Sequence, residues 1–443
     1  MTPDEAPPAP EPDRGSPAAA RSPWAWVPTL YFGQGLPYVA VMALSVVLYK
    51  RLGVSNTDIG LYTSWLYLPW VIKPLWSPLV ELAGRKRRWI WALQFVVGAA
   101  LASVAVVLPL PGFFRYSLAL FWLMAFASAT HDIAADGFYM LALSERRQSA
   151  FVGVRSTFYR LAHIAGQGGL VVLAGWIEQR TGRVALAWGT VFGVLGAGFV
   201  LLAVYHRWVL PRPAADRAPA APSGDLLRGF GAVFMSFLRR PDIVTVLAFL
   251  LLYRFAEAQL LKMSAPFLLD GRALGGLALG TAELGWVYGG IGAASLTAGG
   301  LLGGWWISRA GLRRTLWPML GAMHLPNLLY VALAAGQPGG LAWVTAAVAV
   351  EQFGYGFGFT AYMMFMIWVA GGPDGHNPHR TAHYALATGF MALGMMLPGL
   401  WSGALQTALG YRDFFIWICV AALPSLWAAS RLRLPADFGR RAA

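Results

Sequence analysis

The chain has one cysteine in 443 residues, Cys419. No disulfide can form within a single chain, and a lone thiol in an apolar stretch reads as a small core residue. Charge is scarce too. Only 12% of residues are Asp, Glu, Lys or Arg, against roughly 25% in soluble domains. Hydrophobic residues make up 57% and the mean hydropathy is +0.55. That composition excludes an ordinary soluble domain and predicts a polytopic membrane protein. No Gly-rich phosphate loop ending in Gly-Lys-Ser/Thr is present, so ATP is not expected to drive the protein directly. The seven histidines are scattered. Only His376 and His379 have a zinc-like spacing, in a short polar loop, and no metal or cofactor is expected. Residues 1–22 lack the basic, apolar and cleavage regions of a secretory signal. Rich in Pro and Ala, with Asp4, Glu5, Glu11 and Asp13, they read as a disordered cytoplasmic tail.

What the chain has in abundance is apolar runs of bilayer-crossing length. They recur at 24–49, 59–83, 89–110, 118–143, 151–177 and 185–208, then at 242–269, 282–307, 315–334, 341–370, 383–408 and 413–430. The formal charge is +14, and most Lys and Arg fall in the connections on one side of these runs. That asymmetry reads as topology, with the basic side cytoplasmic, and not as a nucleic-acid surface. The even number of runs puts both termini on that side. Residues 209–241 carry Pro211, Pro213, Pro219 and Pro222 and then an amphipathic stretch at 225–240 suited to a membrane surface. The expected organisation is a tail (1–22), an N-terminal six-helix bundle (23–208), a cytoplasmic linker (209–241), a C-terminal six-helix bundle (242–430) and a second cytoplasmic tail (431–443).

The halves echo each other, as in transporters built from internal repeats. Glu81-Leu82-Ala83-Gly84-Arg85-Lys86-Arg87-Arg88 follows the second run, and Ser308-Arg309-Ala310-Gly311-Leu312-Arg313-Arg314 follows the eighth. The fourth run carries His131, Asp132 and Asp136, and the tenth Glu351. The fifth carries Arg155 and Arg160, and the eleventh opens with Arg380 and His383. The turn at 82–88 is similar to the inter-helix motif of the major facilitator superfamily, with Glu81 where Asp is usual. Trp76-Ser77-Pro78-Leu79, Asp132-Ile133-Ala134-Ala135-Asp136-Gly137, Tyr253-Arg254-Phe255-Ala256-Glu257 and Glu351-Gln352-Phe353-Gly354 resemble the AmpG-like muropeptide permease family within it. The resemblance runs from about residue 28 to 430. It implies an all-α membrane protein of about twelve transmembrane helices in two pseudo-symmetric six-helix bundles. The implied activity is proton-coupled import of peptidoglycan fragments, amino-sugar–peptide conjugates, across the bacterial inner membrane by alternating access. It also implies a non-enzyme, whose partners are the small solute, protons and the lipid bilayer. A siderophore or other large amphiphile is the alternative cargo, and a non-transporting membrane sensor the alternative class. An acyl-transfer enzyme would need His131-Asp132 as its site, and the apolar helix around that pair argues against it.

Ionisable groups inside a span cost roughly 2.5–3.5 kcal/mol each on insertion scales and read first as functional. Asp132 and Asp136 share one helix face. Either one of them takes up a proton during the cycle, or both pair permanently with Arg155 and Arg160. Arg254 and Glu257, at i and i+3, can pair on their own helix; alternatively Arg254 contacts substrate and Glu257 is a second protonation site. Lys262 is expected to snorkel outward. Glu351 has no obvious partner in its own span and, with the resemblance, is the first proton-coupling candidate, with Gln352 beside it as a substrate contact. Gln34 and Tyr38 sit in a Gly- and Pro-interrupted first span, a feature of cavity-lining helices, and Lys73-Pro74 places a charge in the second. Tyr38, Tyr62, Trp65 and Trp70 are candidates to stack on sugar rings, against a background of 20 Trp that mostly anchor and pack. Arg160 offers a fork for carboxylates. Glu81, Arg85, Arg88 and Arg155 are expected to close the cytoplasmic side through charge pairs.

Overall fold

The computed structural model describes residues 21–82, 84–214, 216, 224–372 and 377–440, with backbone alone for 78, 79, 81, 82 and 224–230. The tail at 1–20 and His376 lie outside the described residues. Those residues form helices and connections and no strand. Apolar side chains all round a helix need a non-aqueous surround, and a helix alone satisfies its own backbone polar groups there. Eight helices among the described residues are long and apolar enough to cross a membrane. They are α1 (Pro23–Arg51), α3 (Lys86–Val107), α4 (Phe113–Ala142), α6 (Val184–Val209), α7 (Ile243–Leu269), α9 (Leu312–Gly336), α10 (Leu341–Gly371) and a long rod, Arg380–Ser430. The rod is two helices, α11 (380–409) and α12 (411–430), because Gly410 has φ 75° and ψ 168° between them. Interrupted helices supply the rest. They are α2 (56–82, broken at Leu66–Tyr67), α5 (145–181, with a π-helical stretch at Ala165–Leu170) and α8 (281–310, with one at Gly285–Gly292). Twelve rods follow, at the places the apolar runs predict.

The rods assort into two bundles of six. In the first, α3 packs on α4 and α6, and α1 on α5 and α4. In the second, α10 packs on α8 and α9, and α7 on α11. The halves meet where α2 lies against α11 and α5 against α8. Glycine is required at both seams. A Cβ on Gly403 would lie 1.8 Å from the Asn56 carbonyl oxygen, and one on Gly289 would lie 2.1 Å from the Gln167 carbonyl. The glycine-rich run at 289–304 is therefore helix packing, with no nucleotide loop in it.

One end of the molecule holds the basic turns, the linker and the described parts near both termini. At the opposite end two polar joints tie the halves. In the first, Lys50 Nζ meets Asp270 Oδ1 at 2.6 Å and donates to Asn56 Oδ1 at 2.7 Å. Asn56 Nδ2 donates to Gln406 Oε1 at 2.6 Å, and the Tyr411 hydroxyl donates to Asp270 Oδ2 at 2.6 Å. In the second, Glu178 takes Arg51 at 3.1 Å, the Trp188 indole N–H at 3.0 Å and the Thr281 hydroxyl at 2.6 Å. Lys50, Arg51, Asn56 and Glu178 belong to the first half; Asp270, Thr281, Gln406 and Tyr411 belong to the second.

At the basic end the linker helix (Gly224–Leu238) leans on α11. Phe237 is fully buried, stacks on Phe390 at 5.9 Å and meets the His383 ring at 5.3 Å. The basic turn before α3 is organised by Asp216. Its carboxylate accepts from the backbone N–H groups of Lys86 and Arg87 at 2.7 and 3.1 Å, so it caps an otherwise unsatisfied helix start. Arg87 donates to the Leu210 and Arg207 carbonyls. Arg85 and Arg88 are exposed and form no ion pair among the described residues, and the Glu81 side chain lies outside them.

Candidate functional site

The acidic residues of α4 are both charge-paired inside the first half. Asp136 takes Arg155 of α5 at 2.8 Å and the Tyr31 hydroxyl at 3.2 Å. The Arg155 guanidinium also lies 4.4 Å from the Tyr31 ring centre and 5.0 Å from that of Tyr139. Asp132, deeper in the helix, accepts from the Trp70 indole at 3.2 Å and faces Lys73 of α2 at 3.6 Å. Gln34 of α1 also reaches it, while the Gln34 carbonyl oxygen has no partner among the described residues. The four-residue spacing explains the arrangement. It turns both carboxylates to the side where α1, α2 and α5 converge. Asp132 therefore takes its cation from Lys73, and Arg160 is left over.

The second half is built differently. Glu257 of α7 and Glu351 of α10 are fully buried, with 0% and 1% exposure. Their carboxyls lie within hydrogen-bonding reach of each other. Neither Glu257 oxygen accepts from any N–H or O–H donor among the described residues. Glu351 Oε2 accepts from Gln352 Nε2 at 2.9 Å and from the Tyr330 hydroxyl at 3.5 Å, and its other oxygen has no such donor among them. Gln352 also reaches the Tyr288 hydroxyl at 3.3 Å. Arg254 does not pair with Glu257. Helix α7 breaks at Tyr253–Arg254, where Arg254 has φ −106° and ψ 17°, and the i,i+3 register of a continuous helix is lost. The Arg254 guanidinium instead donates to the Tyr355 hydroxyl and lies 4.8 Å from the Phe359 ring centre. Lys262 does not snorkel either. It is 6% exposed and donates to Thr63 of α2 at 2.9 Å, because its face of α7 is the one pressed into the seam between the halves.

Between these groups lies an aromatic arc. Tyr38 meets Trp70 edge-on at 5.3 Å and the His163 ring at 5.9 Å; Tyr159 meets His163 at 4.7 Å. Tyr62 and Trp65 point outward, 39% and 40% exposed, so of the four stacking candidates only Tyr38 and Trp70 face in. A cavity of about 300 Å³ opens beside the arc, lined by Tyr31, Gln34, Arg155, Ser156, Tyr159 and Arg160. Arg160 is exposed to it and has no ion pair among the described residues. The site thus joins Gln34, Tyr38, Lys73, Asp132 and Arg160 from one half with Arg254, Glu257, Glu351 and Gln352 from the other. Tyr67, Tyr159, Tyr288 and Tyr355 are additions the sequence did not single out. Nothing in their local pattern separates them from the other tyrosines of a chain that has 16.

The arrangement matches a known class of protein. Residues 29–377 match the sequence model of the Major Facilitator Superfamily. The anhydromuropeptide permease of Escherichia coli strain K12 is 25% identical over 405 residues, covering 90% of this chain and 77% of that protein. Among solved structures, the nucleoside transporter NupG aligns over 91% of this chain and 96% of its own, with TM-score 0.63 and 18% identity. A bacterial homolog of the human lysosomal transporter Spinster, solved inward-facing and unoccupied, aligns over 94% of this chain and 96% of its own, with TM-score 0.65 and 15% identity. These two show the fold. With twelve rods in two bundles among the described residues, and with this match, the chain is a multi-pass membrane protein belonging to the Major Facilitator Superfamily.

Proposed function

We propose that this chain imports peptidoglycan fragments, amino-sugar–peptide conjugates, across the bacterial inner membrane together with protons. The basic end is cytoplasmic by the distribution of Lys and Arg. The seam at the other end is joined and the cavity opens beside Arg155 and Arg160, which supports reading this as a state open toward the basic end. Such fragments carry sugar rings and carboxylates. Tyr38 and Trp70 offer faces and edges to the rings, Gln34 offers an amide oxygen that has no partner among the described residues, and Arg160 offers a fork to a carboxylate. The relationship to a protein named anhydromuropeptide permease supports the same cargo.

The observation that carries the proton reading is the Glu257–Glu351 pair. Two buried carboxyls in reach of each other, with no donor to Glu257 among the described residues, repel strongly if both are charged. A proton shared between them is the one donor that fits. Because α7 and α10 supply one carboxyl each, loading or unloading that proton changes how the two helices attract. Such a change biases which side of the cavity is open. The test is uptake of radiolabelled N-acetylglucosaminyl–anhydro-muramyl tripeptide into proteoliposomes, with and without an inward proton gradient. Accumulation that requires the gradient is the expected result. Failure of the folded protein to take up the fragment would send the substrate assignment to a siderophore or other large amphiphile.

A further inference from the structure

Lys262 is a buried cation without an anion among the described residues. Its ammonium donates to Thr63 Oγ1 at 2.9 Å and lies 5.5 Å from the Tyr67 ring centre. No carboxylate stands within 4 Å of it among those residues. The Thr63 hydroxyl proton is already committed to the Ile59 carbonyl at 2.6 Å. Next to Thr63, Ser64 is fully buried and its hydroxyl has no partner among the described residues. Both side chains crowd the same point on α11. A Cβ on Gly399 would lie 2.4 Å from Ser64 Oγ and 3.7 Å from Lys262 Cε. An ammonium with unused N–H groups and an unsatisfied hydroxyl therefore converge on one glycine of the seam. Burying an unpaired charge costs several kcal/mol, and a structural role alone would be met by an uncharged residue.

The surroundings say what such a group receives. Thr63, Tyr67, Trp70 and Lys73 follow one another along α2, Thr63 before the turn at Leu66–Tyr67 and Trp70 and Lys73 after it. Lys262 stands at Thr63, Arg254 lies close to Tyr67, and Lys73 faces Asp132 beside Trp70. Cations and aromatic rings alternate along α2 from the joined seam toward the cavity. We propose that Lys262, with Ser64, is the outer rung of a carboxylate-recognition ladder along α2. Thr63 holds it while the halves are joined. When α2 and α11 part, it is presented to the outer side and takes a carboxylate of the incoming solute, which then passes inward to Arg254. The cargo class is an organic acid with at least one carboxylate beside its neutral parts. The identity of that acid rests on the function proposed above; the site itself does not.

The test separates the two. Ser64→Cys in a Cys419→Ala chain places a thiol beside Lys262. In sealed vesicles with the outer side exposed, it is challenged with an anionic sulfonatoethyl methanethiosulfonate and with its cationic trimethylammonium counterpart. The expected result is faster reaction with the anionic reagent by about tenfold. That preference is lost in Lys262→Met and kept in Lys262→Arg. In chains with native Ser64, Lys262→Met then raises KM for the labelled tripeptide conjugate about tenfold with kcat little changed, and Lys262→Arg restores it. Equal reaction with both reagents, or no reaction from the outer side, overturns the proposal. An anionic preference in a protein that does not transport the conjugate leaves the subsite standing and overturns only the choice of cargo.

Discussion

The two halves share a fold and handle the acids in the middle of their spans in opposite ways. In the first half the two acids of α4 each have a cation: Asp136 has Arg155 at 2.8 Å and Asp132 has Lys73 at 3.6 Å. In the second, Glu257 and Glu351 have each other, and the cation at i−3, Arg254, is bound to a tyrosine hydroxyl. A charge paired within its own bundle is suited to fixed scaffolding. A buried acid that lacks a cation is the one suited to change state, so we place the proton-carrying charges on α7 and α10, while the unpaired Arg160 of α5 is left for a ligand. Lys262 on α7 fits the same division.

The largest expected effect concerns the seam that lets the halves alternate. Asp270→Asn leaves Lys50 buried without its anion, at a cost of about 3 kcal/mol to the joined state, or about a hundredfold in the ratio of states. Thr57 and Thr407 face each other across that seam with their hydroxyls 3.3 Å apart. Cysteines at those two positions should cross-link on mild oxidation and stop transport, and Asp270→Asn should slow the cross-link. A cross-link unaffected by Asp270→Asn would mean that the Lys50 joint does not hold the seam.

Stability sharpens the contrast next. Lys73→Met strands Asp132 and should lower stability by about 2 kcal/mol, read by thermal unfolding in detergent, with Asp132→Asn restoring most of it. Glu351→Gln removes a charge that has no cation, so it should leave the unfolding temperature unchanged or raise it. A destabilising Glu351→Gln together with a neutral Lys73→Met would reverse the assignment of fixed and moving charges. The smallest effect is expected at Arg155. Asp136 is 41% exposed, and Arg155→Met should cost about 1 kcal/mol, combining a half-exposed ion pair with the loss of stacking on Tyr31 and Tyr139.

Much of this was legible in the sequence. Hydropathy placed the twelve rods because a bilayer-crossing helix needs a run of that length, and the buried acids stood out because hydrocarbon makes them expensive. The partners of those acids were less visible. Lys73 and Asp132 are 59 positions apart in the sequence, and helix periodicity says nothing about which neighbouring helix faces which. Arg254 and Glu257 misled because the i,i+3 rule assumes a continuous helix and the chain breaks at Tyr253. Lys262 misled because a lysine toward the end of a span ordinarily reaches for the interface. The seam residues were invisible for a similar reason. Lys50, Arg51, Glu178 and Asp270 sit at span ends, where charges are routine, and only the fold brings Asn56 to Asp270 across 214 positions.

One measurement addresses the division of labour directly. Gradient-driven accumulation and gradient-free exchange of the labelled conjugate are compared in proteoliposomes for two double variants, Glu257→Gln/Glu351→Gln and Asp132→Asn/Asp136→Asn. The carboxyl pair of the second half is expected to be the coupling site. Its double variant should exchange solute yet ignore the proton gradient, while the first-half variant, though slower, should still accumulate when the gradient is applied. Gradient-driven accumulation by Glu257→Gln/Glu351→Gln would contradict the account.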